Sequence, residues 1–488
     1  MDDTPTFWVN DVNNDGVIDP NAGDFIYMYI GMRRGVDRTN NRSYIYAFDA
    51  TPLATDGKMT SHSDTVAPKL MWVVEGGTGN FTHLGQTWSH TKVAKIRTKC
   101  NGAGCTTGDS AAKTVLLFGG GYDPNQDTVI APGSDTIGDA IYIVDPLTGG
   151  RIWWASSDAT ATLVLANMKY SIPSELALTD SNSDGWVDRI YVGDVAGQIW
   201  RIDLGNQLDV DANGGSAGYV FADVGCTGGS RTDDCAATSA QERRKFFFPP
   251  DVAQAHDTNF STVADYDLVT ITSGNREDPI DLLTNTLISP ESKEPVHNRL
   301  YAFRDYNYAN GPPASPPAAL TDSNLYDATT NDLGSTDATT VSAALTAIRG
   351  AKGFYINLQE TTAITLPNGL TTTWVGEKGM AKTVIFGGAL YATTYIPANS
   401  TTAIQTCAAA EGAGRAYVIN YLSGTEMFDL DHSGGSDRFV NVGGGIPSEP
   451  VIVIREGGVT GLVGTSGGAS SISTSSGGNK YRTYWRDN

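Results

Sequence analysis

The stretch Asp180–Asp188 reads DSNSDGWVD, with side-chain oxygens at loop positions one, three, five and nine and glycine at position six. In so tight a loop alternate side chains turn inward, so Asp180, Asn182, Asp184 and Asp188 can converge on one hard cation. Gly185 permits the sharp turn, and the Trp186 carbonyl supplies the position-seven oxygen. This is the front of an EF-hand calcium loop, closed early by Asp188 instead of by a Glu at position twelve. A near-copy, DVNNDGVID, spans Asp11–Asp19 and offers Asp11, Asn13, Asp15, the Val17 carbonyl and Asp19. A third version, DLDHSGGSD, offers Asp429, Asp431, Ser433 and Asp437; Ser433 replaces a carboxylate, which predicts weaker binding. Asx-rich turns favour the same residue types without any metal, but the repetition of the full pattern favours calcium. The segment from Asp209 begins alike, has Ala217 at position nine, and reads as a plain turn.

The text around these loops predicts β structure. After Asp188 the sequence RIYVGDVAGQIWRIDL alternates like two short strands joined by a glycine turn. Related units recur as SYIYAFDATP from Ser43, AIYIVDPLTGGRIWW from Ala140, RLYAFRD from Arg299 and AYVINYLSGTEMF from Ala416. Hairpins repeated at long, irregular intervals predict an all-β propeller with long insertions between strands. Residues 205–251 and 311–350 are the largest insertions, and Thr339–Arg349 in the second predicts one short helix. A closed ring leaves no separate sub-blocks, so residues 1–488 read as one domain, its aromatic C-terminal text (Tyr481, Tyr484, Trp485) closing against the first blade.

The net charge of −21 argues against a nucleic-acid partner, which needs clustered Lys and Arg. No apolar run is long enough for a transmembrane helix, and the N-terminus has no signal-peptide pattern. The chain therefore reads as a mature fragment or a piece cut from a longer protein. Cys100 and Cys105, and Cys226 and Cys235, bracket short polar loops without His partners; these read as two disulfides of an oxidising compartment, with Cys407 left over. The six histidines are scattered, and His62, His83 and His90 with Ser63 and Ser89 make no recognisable triad. Nucleophile-elbow, zincin and Walker patterns are absent from the sequence, as is Arg-Gly-Asp. The glycine-rich FGGGYDP at Phe118–Pro124 opens no helix and reads as a strand end where backbones approach closely. No enzymatic activity is expected.

As ordered text the chain resembles the C-terminal domain of the PilC/PilY family, the type IV pilus tip-associated adhesins and biogenesis factors. The matching pieces include GMRRGVDRTNNRSYIYAFDAT from Gly31, LLFGGGYDP from Leu116, AIYIVDPLTG from Ala140, YVGDVAGQIWRIDL from Tyr191, VTITSGNREDP from Val269, AKGFYINL from Ala351, GGGIPSEPVI from Gly443 and YWRDN from Tyr484. The resemblance implies a modified seven-bladed propeller on the outer cell surface at the pilus tip. It also implies calcium at Asp180, Asn182, Asp184, Trp186 and Asp188 that influences pilus extension and retraction. Minor pilins and a host-cell or surface receptor are the implied partners, and the family's N-terminal region is missing. Two other readings compete. One is a quinoprotein-like propeller dehydrogenase, whose Trp-bearing hairpins Asp145–Trp153 fits but whose vicinal cysteine pair is absent here. The other is a calcium-stabilised lectin-like propeller unrelated to pili.

Overall fold

The computed structural model describes residues 3–35, 42–51, 68–99, 110–127, 134–205, 216–225, 242–279, 295–308, 311, 313, 315–365, 370–397, 411–455 and 458–472. All five cysteines, His62, most of the Asp209 segment and the C-terminal aromatics lie outside them, and so do the expectations attached to those residues.

Six sheets of three to five strands follow one another along the described chain, each essentially an antiparallel meander. The first holds Thr6–Asn10, Phe25–Gly31, Tyr44–Asp49 and Lys69–Glu75. The second holds Lys92–Lys99, Ser110–Gly119, Ala140–Val144 and Arg151–Ser156, with the short Leu163–Val164 parallel at its edge. The third, Ala177–Thr179, Arg189–Gly193, Gln198–Asp203 and Ala217–Asp223, carries the Asp180 loop between its first two strands. The fourth is Asp251–His256, Asp265–Thr272, Arg299–Asp305 and Gly353–Asn357, edged by Tyr326–Asp327. In the fifth, Lys378–Gly379 and Val384–Phe386 both pair with Ala389–Ile396, followed by Ala413–Asn420 and Phe439–Gly444. The sixth is Val451–Arg455, Gly458–Thr465 and Gly468–Ile472.

The sheets pack face to face in chain order. Tyr29, Ile45 and Trp72 of the first meet Leu116, Phe118, Tyr142 and Trp154 of the second. The other face of the second, through Ile96, Leu117, Ile143 and Trp153, meets Ile190, Val192, Trp200 and Ile202 of the third. Similar apolar layers join the third to the fourth, the fourth to the fifth and the fifth to the sixth. This is the architecture of a β-propeller, as the recurring hairpins predict. In four of the five repeats the tyrosine is a core residue: Tyr142, Tyr191, Tyr301 and Tyr417 are all buried between sheets, while Tyr44 and Tyr46 of the first repeat are half-buried. The polar residue that ends each repeat folds the next turn, as when Asp145 accepts from the Leu147 amide, Asp194 from Ala196, Asp305 from Asn307 and Asn420 from Leu422.

Interior strands have no solvent face, so Ala140–Val144, Arg189–Gly193 and Gln198–Asp203 are buried at every position. Charges on such strands must be paired. Arg189 binds Asp203 (2.9 Å) and Asp267 (3.1 Å), and Arg201 binds Asp305 (2.6 Å) and Asp203 (3.0 Å). The Tyr191 hydroxyl donates to Asp305 at 2.6 Å. Burial pushes the Asp267 carboxyl up to about 6 even with Arg189 beside it. A second group, half-buried around the buried Arg244, joins Arg299, Glu242, His297 and Asp322.

The expected helix is Ala338–Gly350, capped by Asp337, whose carboxylate accepts from the Thr340 amide at 2.9 Å. Its Ile348 is buried, and Arg304 ties its end down by donating to the Ile348 and Ala351 carbonyls. FGGGYDP is the close backbone approach its glycines suggest. Gly121 has φ +90°, and a Cβ there would lie 2.0 Å from the Gln86 carbonyl oxygen. Gln86 and Tyr122 exchange two backbone hydrogen bonds at 2.9 Å across this approach.

Gly121→Ala should therefore lower stability by roughly 2 kcal/mol or more, read as a shift of the denaturant midpoint. A second expectation concerns pH. Burial pulls Glu242 upward, but His297, Arg244 and Arg299 together hold it down to about 2, below the ordinary 4.5. A depressed carboxylate contributes stability that is present above the ordinary value and lost as pH falls through the folded value. Glu242→Gln should thus melt below the parent protein at pH 6, and the gap should close as pH falls from 4.5 toward 2.

Candidate metal centre

All three acidic loops occupy turns between adjacent antiparallel strands. The Asp11 loop joins the first two strands of the first sheet, and the Asp180 loop those of the third. The Asp429 loop joins Ala413–Asn420 to Phe439–Gly444, the last two strands of the fifth. In a meander, first–second and third–fourth turns leave at the same end of a sheet. The opposite turns meet elsewhere: Trp88, Tyr122, Tyr170, Val195, Ala196 and Phe247 form one apolar cluster, and Arg34 reaches Glu277 at 2.8 Å nearby. Acidic loops and aromatic cluster thus mark opposite ends of the sheets.

The loops share one wiring. In the first position, Asp180 accepts from the amides of Asp184 (3.0 Å) and Gly185 (2.7 Å). Asp429 does the same for Ser433 and Gly434, both at 3.0 Å, and Asp11 accepts from Gly16 at 2.8 Å. The third position accepts from the fifth amide: Asn182 from Asp184 (3.0 Å), Asp431 from Ser433 (2.8 Å) and Asn13 from Asp15 (3.1 Å). The fifth accepts from the seventh: Asp184 from Trp186 and Asp15 from Val17. Position four is left-handed in each loop, with φ of 55° at Asn14, 60° at Ser183 and 64° at His432, and position-six glycines follow with φ of 78° to 100°. Only a backbone turned this way gathers alternate side chains on one side, and glycine takes the conformation without strain.

The closing acid completes the ring. Asp188 accepts from Ser181 N (3.0 Å) and Ser181 Oγ (2.8 Å), and Asp437 accepts from Leu430 N (3.0 Å). In the first loop the same role belongs to Asp24, which the nine-residue pattern misses. Asp24 is buried and accepts from Val12 N (2.8 Å) and Asp19 N (2.9 Å). Asp19 instead caps the short 3-10 turn Pro20–Ala22 through Asn21 N (2.9 Å). The signal was present in the sequence: Pro20 starts that turn, Gly23 ends it with φ +93°, and an acid follows at once.

Carboxylate electrostatics differ between the loops. Partial burial pulls Asp184 upward, but Arg97, 2.6 Å away, and the Trp186 amide hold it below the ordinary range. Burial keeps Asp188 above it against the Ser181 bonds. Asp431 is lowered by the Ser433 hydroxyl and amide. The third loop, weakest by sequence, brings Asp429, Asp431 and Asp437 oxygens within 4.8 Å of one another. In the first loop Asp11 Oδ1 is buried without a hydrogen-bond partner, an oxygen that a cation would satisfy. All donors are oxygens, which suits calcium. The described histidines make no nucleophile site. His83 lies between Asp139 (2.8 Å) and Asp158 (3.3 Å), and its pKa is raised chiefly by the Asp139 hydrogen bond. Ser89 Oγ is engaged by the Gly119 amide.

Asp180→Ala should loosen the Gly185 amide, increasing its hydrogen exchange by about fivefold for a bond worth ~1 kcal/mol, and change Asp184 less, because its amide also donates to Asn182. In the first loop, Asp24→Ala should speed exchange at Val12, whereas Asp19→Ala should leave Val12 protected.

No family model and no curated protein matches this sequence. Among solved structures, the chain is similar to the C-terminal domain of Pseudomonas aeruginosa PilY1, at 16% identity and TM-score 0.56, covering 96% of this chain and 83% of that one. It is similar more loosely to BamB from Moraxella catarrhalis, at 10% identity and TM-score 0.29, covering 91% and 78%. A quinohemoprotein alcohol dehydrogenase from Comamonas testosteroni gives 10% identity and TM-score 0.39 over 91% and 55%. The last two superpose too loosely to bear on chemistry. The first establishes a shared fold along nearly the whole chain.

Proposed function

We propose that the chain is a calcium-binding, type IV pilus-associated propeller that acts in pilus biogenesis and in adhesion to cells or surfaces. It would act outside the cell at the pilus tip, in contact with minor pilins and a surface receptor. The observation that carries the reading is the Asp180–Asp188 loop, whose Asp180, Asn182 and Asp188 oxygens hold its backbone in the turn that such a site needs, on a fold shared with the PilY1 C-terminal domain. Asp180, Asn182, Asp184, the Trp186 carbonyl and Asp188 would hold the ion. The Asp11 loop would do so with Asp24 beside Asp11, Asn13, Asp15 and the Val17 carbonyl. The Asp429 loop would use Asp429, Asp431, Ser433 and Asp437. Calcium would supply charge neutralisation and rigidity at the turn, not reaction chemistry.

Calorimetric titration tests the metal, and capture of minor pilins with and without calcium tests the partner. Calcium should bind the parent protein, and Asp180→Ala should remove one site. At about 100 times Kd, calcium should add ~2.7 kcal/mol per site to unfolding, reversed by chelator. A chain that takes up no calcium, or captures no pilin in either state, would contradict the corresponding half of the proposal.

A further inference from the structure

The three loops differ in one respect that their shared wiring does not require. Arg97, on strand Lys92–Lys99 of the second sheet, crosses to the third sheet and places a guanidinium nitrogen 2.6 Å from Asp184 Oδ2. The same guanidinium lies 4.0 Å from the Trp186 ring centroid. The backbones are joined at this point too, since Val187 N donates to the Lys95 carbonyl at 2.8 Å and Ile96 bridges Val187 in parallel. Asp184 Oδ1 meanwhile accepts from Trp186 N. Both oxygens of a position-five donor are therefore engaged, one of them by a cation held in place by stacking and by its own strand. Among the described residues no ion pair involves the Asp11 loop or the Asp429 loop.

We propose that Arg97 sets the calcium affinity of the Asp180 loop and makes its loading felt by the second sheet. The inference rests on the calcium reading above and adds a regulator to that site. A fixed positive charge at a ligand carboxylate opposes a divalent ion at close range, and it must yield Asp184 or tolerate the ion beside it. At 2.6 Å the two charges lie well inside the Debye length of ~8 Å, so salt does not erase this effect. The loop is thus a weaker site than its pattern of donors implies. Calcium entry loosens the Arg97 contact with Asp184 and changes the stack on Trp186, so occupancy is reported across the boundary between sheets.

The test is calcium titration of the full chain by calorimetry and by tryptophan emission, with Trp186→Phe identifying the Trp186 signal. Arg97→Gln should tighten one site by about tenfold and leave the other sites unchanged, which also shows that the variant is folded. Arg97→Lys keeps the charge and loses the planar stack; it should stay close to the parent affinity while the Trp186 response shrinks. If Arg97→Gln leaves the affinity of the site removed by Asp180→Ala unchanged, or weakens it, Arg97 is not an opposing charge and the proposal is overturned. If Asp180→Ala removes no site in either background, the calcium reading of this loop itself fails, and the proposal with it.

Discussion

Burial of both faces of the interior sheets is the constraint on which the rest of this molecule depends. A sheet lying between two others cannot assign one face to water, so the alternation of apolar and polar residues that marks a half-exposed strand gives way to continuous burial. Strands such as Ala140–Val144 and Arg189–Gly193 obey this at every position. Where charge enters, it enters in company: Arg189 and Arg201 are each held by two aspartates drawn from two sheets. Such pairs are costly to assemble and costlier to break, so they fix which sheets are neighbours more firmly than they raise stability.

Chemistry is thereby confined to the turns. The acidic loops satisfy their own backbone amides with aspartate and asparagine oxygens. Their shape follows from the left-handed residue at position four and the glycine two residues on. Position nine varies most because its carboxylate needs only to reach the second amide of the loop, from whatever place in the chain allows it. Asp188 and Asp437 reach from inside the nine-residue window and Asp24 from outside it.

Much of this was legible in the sequence. The repeats gave the propeller because each is a tyrosine-bearing strand, with the tyrosine buried in four of the five, followed by a side-chain-stabilised turn, and both halves leave a mark on residue type. The capped helix at Ala338–Gly350 lay within one residue of its expected ends. The loop spacing gave the aspartates and asparagines that accept the loops' own amides, except Asp24. That exception has a physical reason: the 3-10 turn Pro20–Ala22 lengthens the path without changing its end point. What linear text could not supply is contact across sheets. Nothing near Asp184 in the sequence points to Arg97, and nothing near Arg201 points to Asp305. Both pairings follow from the stacking order of the sheets.

The tie between Val187 and Lys95 has a mechanical meaning. The Val187 amide is hydrogen-bonded not to its own sheet but to the strand of the preceding one, one residue before the closing acid. Tension applied along Lys92–Lys99 therefore arrives at Asp188 through a single peptide, and slack in the loop is returned along the same route. The turn is a joint through which two sheets bear load together, and its stiffness sets how much of a pull on one is shared by the other.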